Sequence, residues 1–485
     1  MVRTRFAPSP TGFMHIGNLR TALYAYLIAK HYGGDFILRI EDTDQKRYTE
    51  GATDIIYNSL GLAGIEYDEG PDRQGSFGPY IQSERLDIYK KHIDYLLEKG
   101  RAYRCFCTRE EIEKQRFLCS ESGEHYQYNR KCRNLTQVEI DKNLASGIQF
   151  VVRQKIPETG KTTFNDCVFG NITIENELLE DHILLKSDGY PTYNFAHVID
   201  DHLMNITHVV RGVEYLSSTP KYVLLYNDFG WELPEYVHLP HITKESGKKL
   251  SKREGDASFH DLIQRGYIPE AIINYIALLG WNPGDEREFF TIDDLEKEFS
   301  IERINRSSAT FTIQKLNSLN GEHIRSLTSE NFRSLCESYI PNDISEKLDT
   351  FKICRLIQPR IEKFTDIPEM ISFFSKLPEY SSDLYIHKKM KSTIDSSTRV
   401  LNDLTTVLAD IDPWSNDNLY QKMKEYATEQ NIKNGTVLWP LRVASSGRTI
   451  TPGGATEIAE ILGKDETLRR INDALKILKK NQSVQ

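Results

Sequence analysis

The decisive stretch is Ser9-Pro10-Thr11-Gly12-Phe13-Met14-His15-Ile16-Gly17-Asn18, which stands between two segments of different periodicity. Before it, Val2 to Ala7 alternates as a short strand does. After it, apolar residues recur at helical spacing from Leu19 to Tyr32, and the two prolines and Gly12 keep either element from running through. Gly33-Gly34 closes the helix, and Phe36-Ile37-Leu38-Arg39-Ile40 reads as a second strand leading into the acidic turn Glu41-Asp42-Thr43-Asp44. Strand, tight turn, helix and strand at this spacing predict two parallel strands joined by a right-handed crossover. Ligands of such open sheets sit beyond the carboxyl ends of the strands, where a helix N-terminus offers backbone N–H groups to phosphate. His15 and Glu41 are therefore expected to converge on one pocket.

At 485 residues the chain is too long for one ordinary domain, and about two to four are expected. It has no apolar run long enough to span a bilayer, and Met1-Val2-Arg3-Thr4-Arg5 lacks the apolar core of a signal peptide. A cytoplasmic protein with no membrane partner is the expectation. Seven cysteines at scattered spacings argue for reduced thiols or a metal site and against a disulfide framework. The net charge is −9, and because residues 326–485 balance at 22 basic and 22 acidic, the excess acid lies in the first 325. Phosphate binding depends on a local basic face, so this total neither supports nor excludes RNA.

Several motifs occur in order along the chain: Arg5-Phe6-Ala7-Pro8-Ser9-Pro10-Thr11-Gly12, then His15-Ile16-Gly17, then Arg39-Ile40-Glu41-Asp42-Thr43-Asp44, and later Lys249-Leu250-Ser251-Lys252-Arg253. Together they resemble a bacterial-type glutamyl-tRNA synthetase of class I. The resemblance implies an α/β chain whose Rossmann-type parallel-sheet catalytic domain occupies residues 1–100 and 188–243. An α+β connective insertion at 101–187 would hold the acceptor end of tRNA, a stem-contact region at 244–327 would carry the Lys-Leu-Ser-Lys-Arg loop, and an all-helical anticodon-binding region would fill 328–485.

The intervening text fits this plan. Ser83 reads as the N-cap of the amphipathic run Leu86, Ile88, Ile93, Leu96 and Leu97, which stops at Gly100. Strand-like segments at Phe150–Arg153, Thr162–Phe164 and Ile172–Ile174 suit a small α+β insertion. Phe195 to Ile199 reads as a buried strand ending at Asp200-Asp201-His202, with His197 and His202 in different environments, and Ile206 to Val210 as another ending at Arg211. Beyond residue 328 helical periodicity continues, and Leu438-Trp439-Pro440-Leu441-Arg442 also resembles the family. The basic clusters Lys388-Lys389-Lys391 and Arg469-Arg470 read as solvated faces.

Cys105-Phe106-Cys107 followed by Tyr128 and Cys132 supplies two thiolates one residue apart and a second pair on a returning segment, which suits tetrahedral zinc. Some family members carry zinc here. Asn134 stands where one of their patterns has histidine, so Tyr128 with Cys132 is taken as the second pair, Cys119 is an alternative fourth ligand, and free cysteines in a small core are the plain alternative. A closed site of this kind is structural, since it leaves no open position for substrate.

The resemblance implies two steps. Glutamate attacks the α-phosphate of ATP, and a terminal ribose hydroxyl of tRNA(Glu), with tRNA(Gln) a further acceptor to test, then takes the acyl group. His15, Gly17 and Asn18 would meet the phosphates, with Lys252 and Lys249 supplying mobile cations beside ATP-bound Mg2+. Asn18 stands where the class pattern ends in histidine, so it brings a hydrogen bond and no charge. Arg5 and Arg211 match the family's carboxylate-binding arginines, Glu41 its ammonium partner, Ser9 and Tyr193 its hydrogen-bonding wall, and His197 a pocket position of variable type. Leu250 and Arg253 depart from the Lys-Met-Ser-Lys-Ser pattern while keeping an apolar anchor and a charge. A monomer is expected. Two other readings are a tRNA-base glutamylating relative, which lacks the long helical C-terminal region, and a silent tRNA-binding paralogue, which would have lost His15 or Lys252.

Overall fold

The computed structural model describes residues 1–12, 14–44, 49–122, 126–250 and 258–482. The opening unit forms as its periodicity dictates: β1 (Arg3–Phe6), α1 (Ile16–His31) and β2 (Asp35–Leu38), with β1 and β2 parallel from Arg3 opposite Asp35 to Phe6 opposite Leu38. Leu19, Leu23, Tyr24, Leu27 and Ile28 of α1 are all fully buried, so the helix is apolar almost all round, as a central helix must be. Gly34 is obligatory because a Cβ there would lie 1.9 Å from the Val2 carbonyl oxygen, and only hydrogen lets the chain turn back this close to β1.

The chain continues through α2 (Ala52–Leu62) and α3 (Leu86–Glu98). Ser83 does not cap α3. A 3-10 turn, Gln82–Arg85, intervenes, and the helix starts at Leu86 with no side-chain cap bond, while the Ser83 N–H is taken by Asp42 Oδ1 at 2.8 Å. Then come β3 (Ala102–Cys105), α4 (Arg109–Ser122), α5 (Gln137–Ala145), β4 (Val151–Gln154), β5 (Lys161–Asp166), β6 (Gly170–Glu175) and β7 (Ile183–Leu185). The order β3-β4-β7 makes a small antiparallel sheet, and β5 with β6 makes a hairpin.

The expected strand at Phe195–Ile199 is instead part of helix α6 (Tyr193–Leu203). Phe195, Ala196, Val198 and Ile199 are all fully buried, so the run is apolar because it packs on both sides, and such a run does not reveal its period. After it come β8 (His208–Gly212), α7 (Thr219–Phe229), β9 (Glu235–Leu239) and β10 (Ile242–Lys244). β8 and β9 are parallel, and β9 also meets β5 in parallel at Tyr236 opposite Asp166. The two parallel pairs lie edge to edge, joined where Thr207 N–H donates to the Arg3 carbonyl at 2.9 Å and Arg3 N–H to Thr207 Oγ1 at 2.8 Å. Helices cover the sheet: Tyr24 of α1, for example, donates to the carbonyl of Ala277 in the helix Pro269–Leu278.

Two compact units are present, residues 1–263 with 269–315, and residues 264–268 with 316–485. From residue 328 the second unit has no β-strand among its described residues. Its core gathers Val400, Leu401, Leu404, Leu419, Val437, Leu441, Ile471 and Leu478 from four helices. The Arg469-Arg470 pair is split in role. Arg469 is exposed and paired with Glu466 and Asp473, whereas Arg470 is buried and donates to the carbonyls of Phe373 and Ser445 at 2.8 and 2.6 Å. No described helix is long and apolar enough to cross a membrane.

Candidate active site

The carboxyl ends of β1, β8 and β9 open into one cleft of about 630 Å³. Arg5, Ser9, His15, Gly17, Asn18, Glu41, Tyr193, Arg211 and Lys249 all line it. His197 does not reach the lining. It lies behind Tyr193, ring centroids 4.8 Å apart, with Asp201 at 3.5 Å, and burial depresses its pKa to about 4, so the ring is neutral. His202, on the same helix, stacks on Trp231 away from the cleft, so the two histidines do differ in environment. Lys252 falls outside the described residues.

At one end of the cleft His15 is the N-cap of α1. Its Nδ1 accepts from Gly17 N–H at 3.1 Å, which leaves the ring hydrogen on Nε2 as a donor. Beside it Lys249 stands 3.9 Å from Glu214 Oε2, and Leu250 N–H is tied to the Ile242 carbonyl. The first residues of the Lys-Leu-Ser-Lys-Arg segment are thus anchored to β10 with a cation facing the cleft.

Three charged side chains, Arg5, Arg211 and Glu41, line the same cleft as Tyr193, and Glu41 and Arg211 lie near enough to act on its phenol. Arg5 gives Nε and Nη2 to the two oxygens of Asp201 at 2.9 and 3.2 Å and Nη1 to the Val210 carbonyl at 3.2 Å, so three of its five N–H groups are used and two remain. Arg211 donates Nε to His238 Nε2 at 3.0 Å and Nη2 to Thr219 Oγ1 at 2.7 Å, and its Nη1 is buried with no partner among the described residues. Glu41 takes a bond from Arg39 Nη2 at 3.0 Å. Burial raises its pKa to about 7 against the pull of Arg39 and Arg5. Tyr193 keeps its proton, since burial and then the nearby Glu41 push its phenol well above the ordinary value. An orphaned buried guanidinium N–H in a cleft calls for an anionic or carbonyl acceptor.

Beneath the cleft lies a charged layer that the sequence did not disclose. Arg39, fully buried, bridges Asp201 at 2.8 Å and Glu41, while Asp200 collects Gln82, Arg85 and Tyr89 at 2.7 to 2.8 Å. Burial alone would raise the Asp201 carboxyl, but Arg5 and Arg39 hold it well below the usual range. A partial signal was available: Arg39 follows the apolar run Phe36-Ile37-Leu38 and precedes Ile40, and an arginine buried there requires a buried partner. Asp166 and His238 were missed as well.

The sulfurs of Cys105, Cys107 and Cys132 lie within 4.8 Å of one another. Tyr128 Oη is 3.2 and 3.5 Å from the first two, completing four donors, while Cys119 is not in the cluster. Donation from Cys132, and after it from Tyr128 and Arg153, holds the Cys105 thiol well below its ordinary value against the effect of burial. Three soft sulfurs and one phenol oxygen in a buried pocket fit a closed tetrahedral metal site.

Residues 1–318 match the family of tRNA synthetases class I (E and Q), catalytic domain, and residues 330–475 match the anticodon binding domain family. The glutamate–tRNA ligases of Clostridium kluyveri and Clostridium tetani are each 54% identical over 478 residues, covering 99% of this chain and 98% of theirs. Among solved structures, a glutamate tRNA ligase from Elizabethkingia meningosepticum in complex with its amino acid superposes with a TM-score of 0.88 at 35% identity, covering 98% of this chain and 99% of that one. The motifs, the parallel sheet, the cleft and these matches agree: the chain belongs to the class I tRNA synthetases for glutamate and glutamine.

Proposed function

We propose that this chain is a glutamate–tRNA ligase that activates L-glutamate with ATP and passes the glutamyl group to the 3′-terminal adenosine of tRNA(Glu). One observation carries the reading: Arg5, Arg211, Glu41 and Tyr193 line the same cleft that His15 and the start of α1 enter. Two cations and one anion are the complement of an amino acid with two carboxylates. Arg211 Nη1, with no partner among the described residues, meets the side-chain carboxylate, Arg5 supports a second carboxylate, and Glu41 pairs with the ammonium. Ser9 and Tyr193 supply hydroxyls from the wall. A glutamine amide would turn donors toward Arg211, forfeiting a charge-assisted bond of about 1.5–3 kcal/mol and leaving polar groups opposed.

Negative charge moves onto phosphate oxygens in both steps, and the protein's part is to position and stabilise. His15 Nε2–H is the fixed donor, the backbone of Gly17 and the side chain of Asn18 lie beside it, and Lys249 with Lys252 brings cations to the leaving pyrophosphate. Mg2+ enters with ATP. Zn2+, held by Cys105, Cys107, Tyr128 and Cys132, would stabilise the segment between β3 and β4. The insertion from residue 101 to 187 is assigned to the tRNA acceptor end, residues 244–327 to the stem, and residues 328–485 to the anticodon.

ATP–pyrophosphate exchange tests the reading. Exchange that depends on glutamate and on cognate tRNA is expected, and none with glutamate under any tRNA condition overturns it. Aminoacylation of purified tRNA(Glu) and tRNA(Gln) then separates a chain restricted to the first from one that serves both.

A further inference from the structure

Arg211 does not hold itself. Its Nε–H points at His238 Nε2 across 3.0 Å, so that nitrogen must carry a lone pair and the ring hydrogen must sit on Nδ1. Nδ1 in turn lies 2.6 Å from Asp166 Oδ2. All three residues are buried, on three neighbouring strands, β5, β8 and β9. Burial, ahead of every other influence, keeps the His238 ring neutral, as an acceptor must be.

Asp166 is itself fixed by which oxygen does what. Oδ1 accepts the backbone N–H groups of Val168 and Phe169 at 3.0 and 2.9 Å, and Oδ2 accepts the backbone N–H and the ring of His238. The geometry points to an Asp166–His238 pair that sets the orientation of Arg211, making both positioning residues for glutamate specificity. The inference rests on the proposed function and deepens it, because Arg211 Nη1 is aimed at the substrate carboxylate only while Nε and Nη2 are held from behind. A histidine ring that donates through one nitrogen and accepts through the other transmits the polarity of Asp166 to the arginine.

Asp166→Asn makes this testable without changing side-chain size. Two backbone donors at Oδ1, closer than the single His238 N–H at Oδ2, favour keeping the amide oxygen at the Oδ1 position, so the NH2 group faces His238 Nδ1. The ring must then accept there and carry its hydrogen on Nε2, donor against donor with Arg211 Nε–H. In the full chain labelled with 15N-histidine, the His238 signal, identified by its loss in His238→Gln, should report hydrogen on Nδ1 in the unsubstituted protein and on Nε2 in Asp166→Asn. In ATP–pyrophosphate exchange, Asp166→Asn and His238→Leu should raise the glutamate KM by about tenfold, equivalent to one lost charged hydrogen bond, while the ATP KM stays within about twofold. His238→Gln, whose amide can donate to Asp166 and accept from Arg211, should recover much of the loss.

The proposal is overturned by hydrogen on Nε2 in the unsubstituted protein, by an unchanged glutamate KM in Asp166→Asn, or by glutamate and ATP KM rising together. If the unsubstituted chain shows no glutamate-dependent exchange, the function assignment fails, and the ring signal still decides whether Asp166 sets the His238 tautomer.

Discussion

Arg5 and Asp201 form a two-pronged ion pair, Nε to Oδ1 at 2.9 Å and Nη2 to Oδ2 at 3.2 Å, although 196 residues separate them. Arg39 shares the same Oδ1 at 2.8 Å. One carboxylate is therefore shared by two buried guanidinium groups, the second of which also pairs with Glu41, and Asp201→Asn would deprive both of a charged partner. A loss of about 3–5 kcal/mol is expected, as for breaking a buried pair from one side. Urea unfolding measures it, and an unchanged midpoint would show that Glu41 and Asp200 suffice for Arg39.

Glu41 gives the cleft a pH dependence. Its pKa is raised from 4.5 to about 7, first by burial. Between these values the folded state holds a proton that the unfolded state has released, so this group's contribution to stability falls as pH rises through the window and levels off above about pH 7. Binding runs the other way, because only the carboxylate pairs with an ammonium. The glutamate KM should rise as pH drops below about 7, and Glu41→Gln should weaken binding above about pH 7, where the carboxylate is charged, while flattening both profiles. A sloping KM profile in Glu41→Gln would assign the titration to another group.

Lys252→Ala should lower the exchange rate by about a hundredfold, the order expected for one cation or donor aimed at charge that develops in the transition state. Glutamate KM should hardly move. Lys249→Ala should have a smaller effect, since that ammonium already shares Glu214. Equal losses in rate and glutamate affinity for Lys252→Ala would place that residue at the amino acid instead of the phosphates.

Metal analysis of freshly purified protein should find zinc at about one ion per chain, as one closed four-donor site requires. Stripping it with a chelator should lower the melting temperature, and so should Cys105→Ser. Tyr128→Phe should weaken retention while the three thiolates keep some affinity. A zinc ratio near zero would leave the cluster as packed thiols with Tyr128 bonded among them.

The first strand, helix and second strand were legible because each has one periodicity and a hard stop: Gly34 cannot be anything larger, and α1 runs until the two glycines. The segment at residues 193–203 was not, since a helix buried on both sides loses the polar face that reveals its turn. Arg5, Arg211 and Glu41 stand out by motif and do line one cleft, but the pairings that hold the two arginines were not legible. Asp201 and His238 are joined to them only through tertiary contacts 196 and 27 residues away in sequence, distances at which no local spacing rule operates. The charge of a residue can be read from the text; which of its hydrogens remain unused cannot.

Asp166 closes the β5–β6 hairpin, opposite Gly170, within the segment assigned to the acceptor end of tRNA. A macromolecule that tugs this hairpin would be felt at the amino-acid pocket through two successive bonds, Asp166 to His238 and His238 to Arg211, and reciprocity requires that an amino acid seated there alter the grip on that macromolecule by the same factor. Under that assignment the hairpin tip would be a lever whose short arm is a guanidinium group.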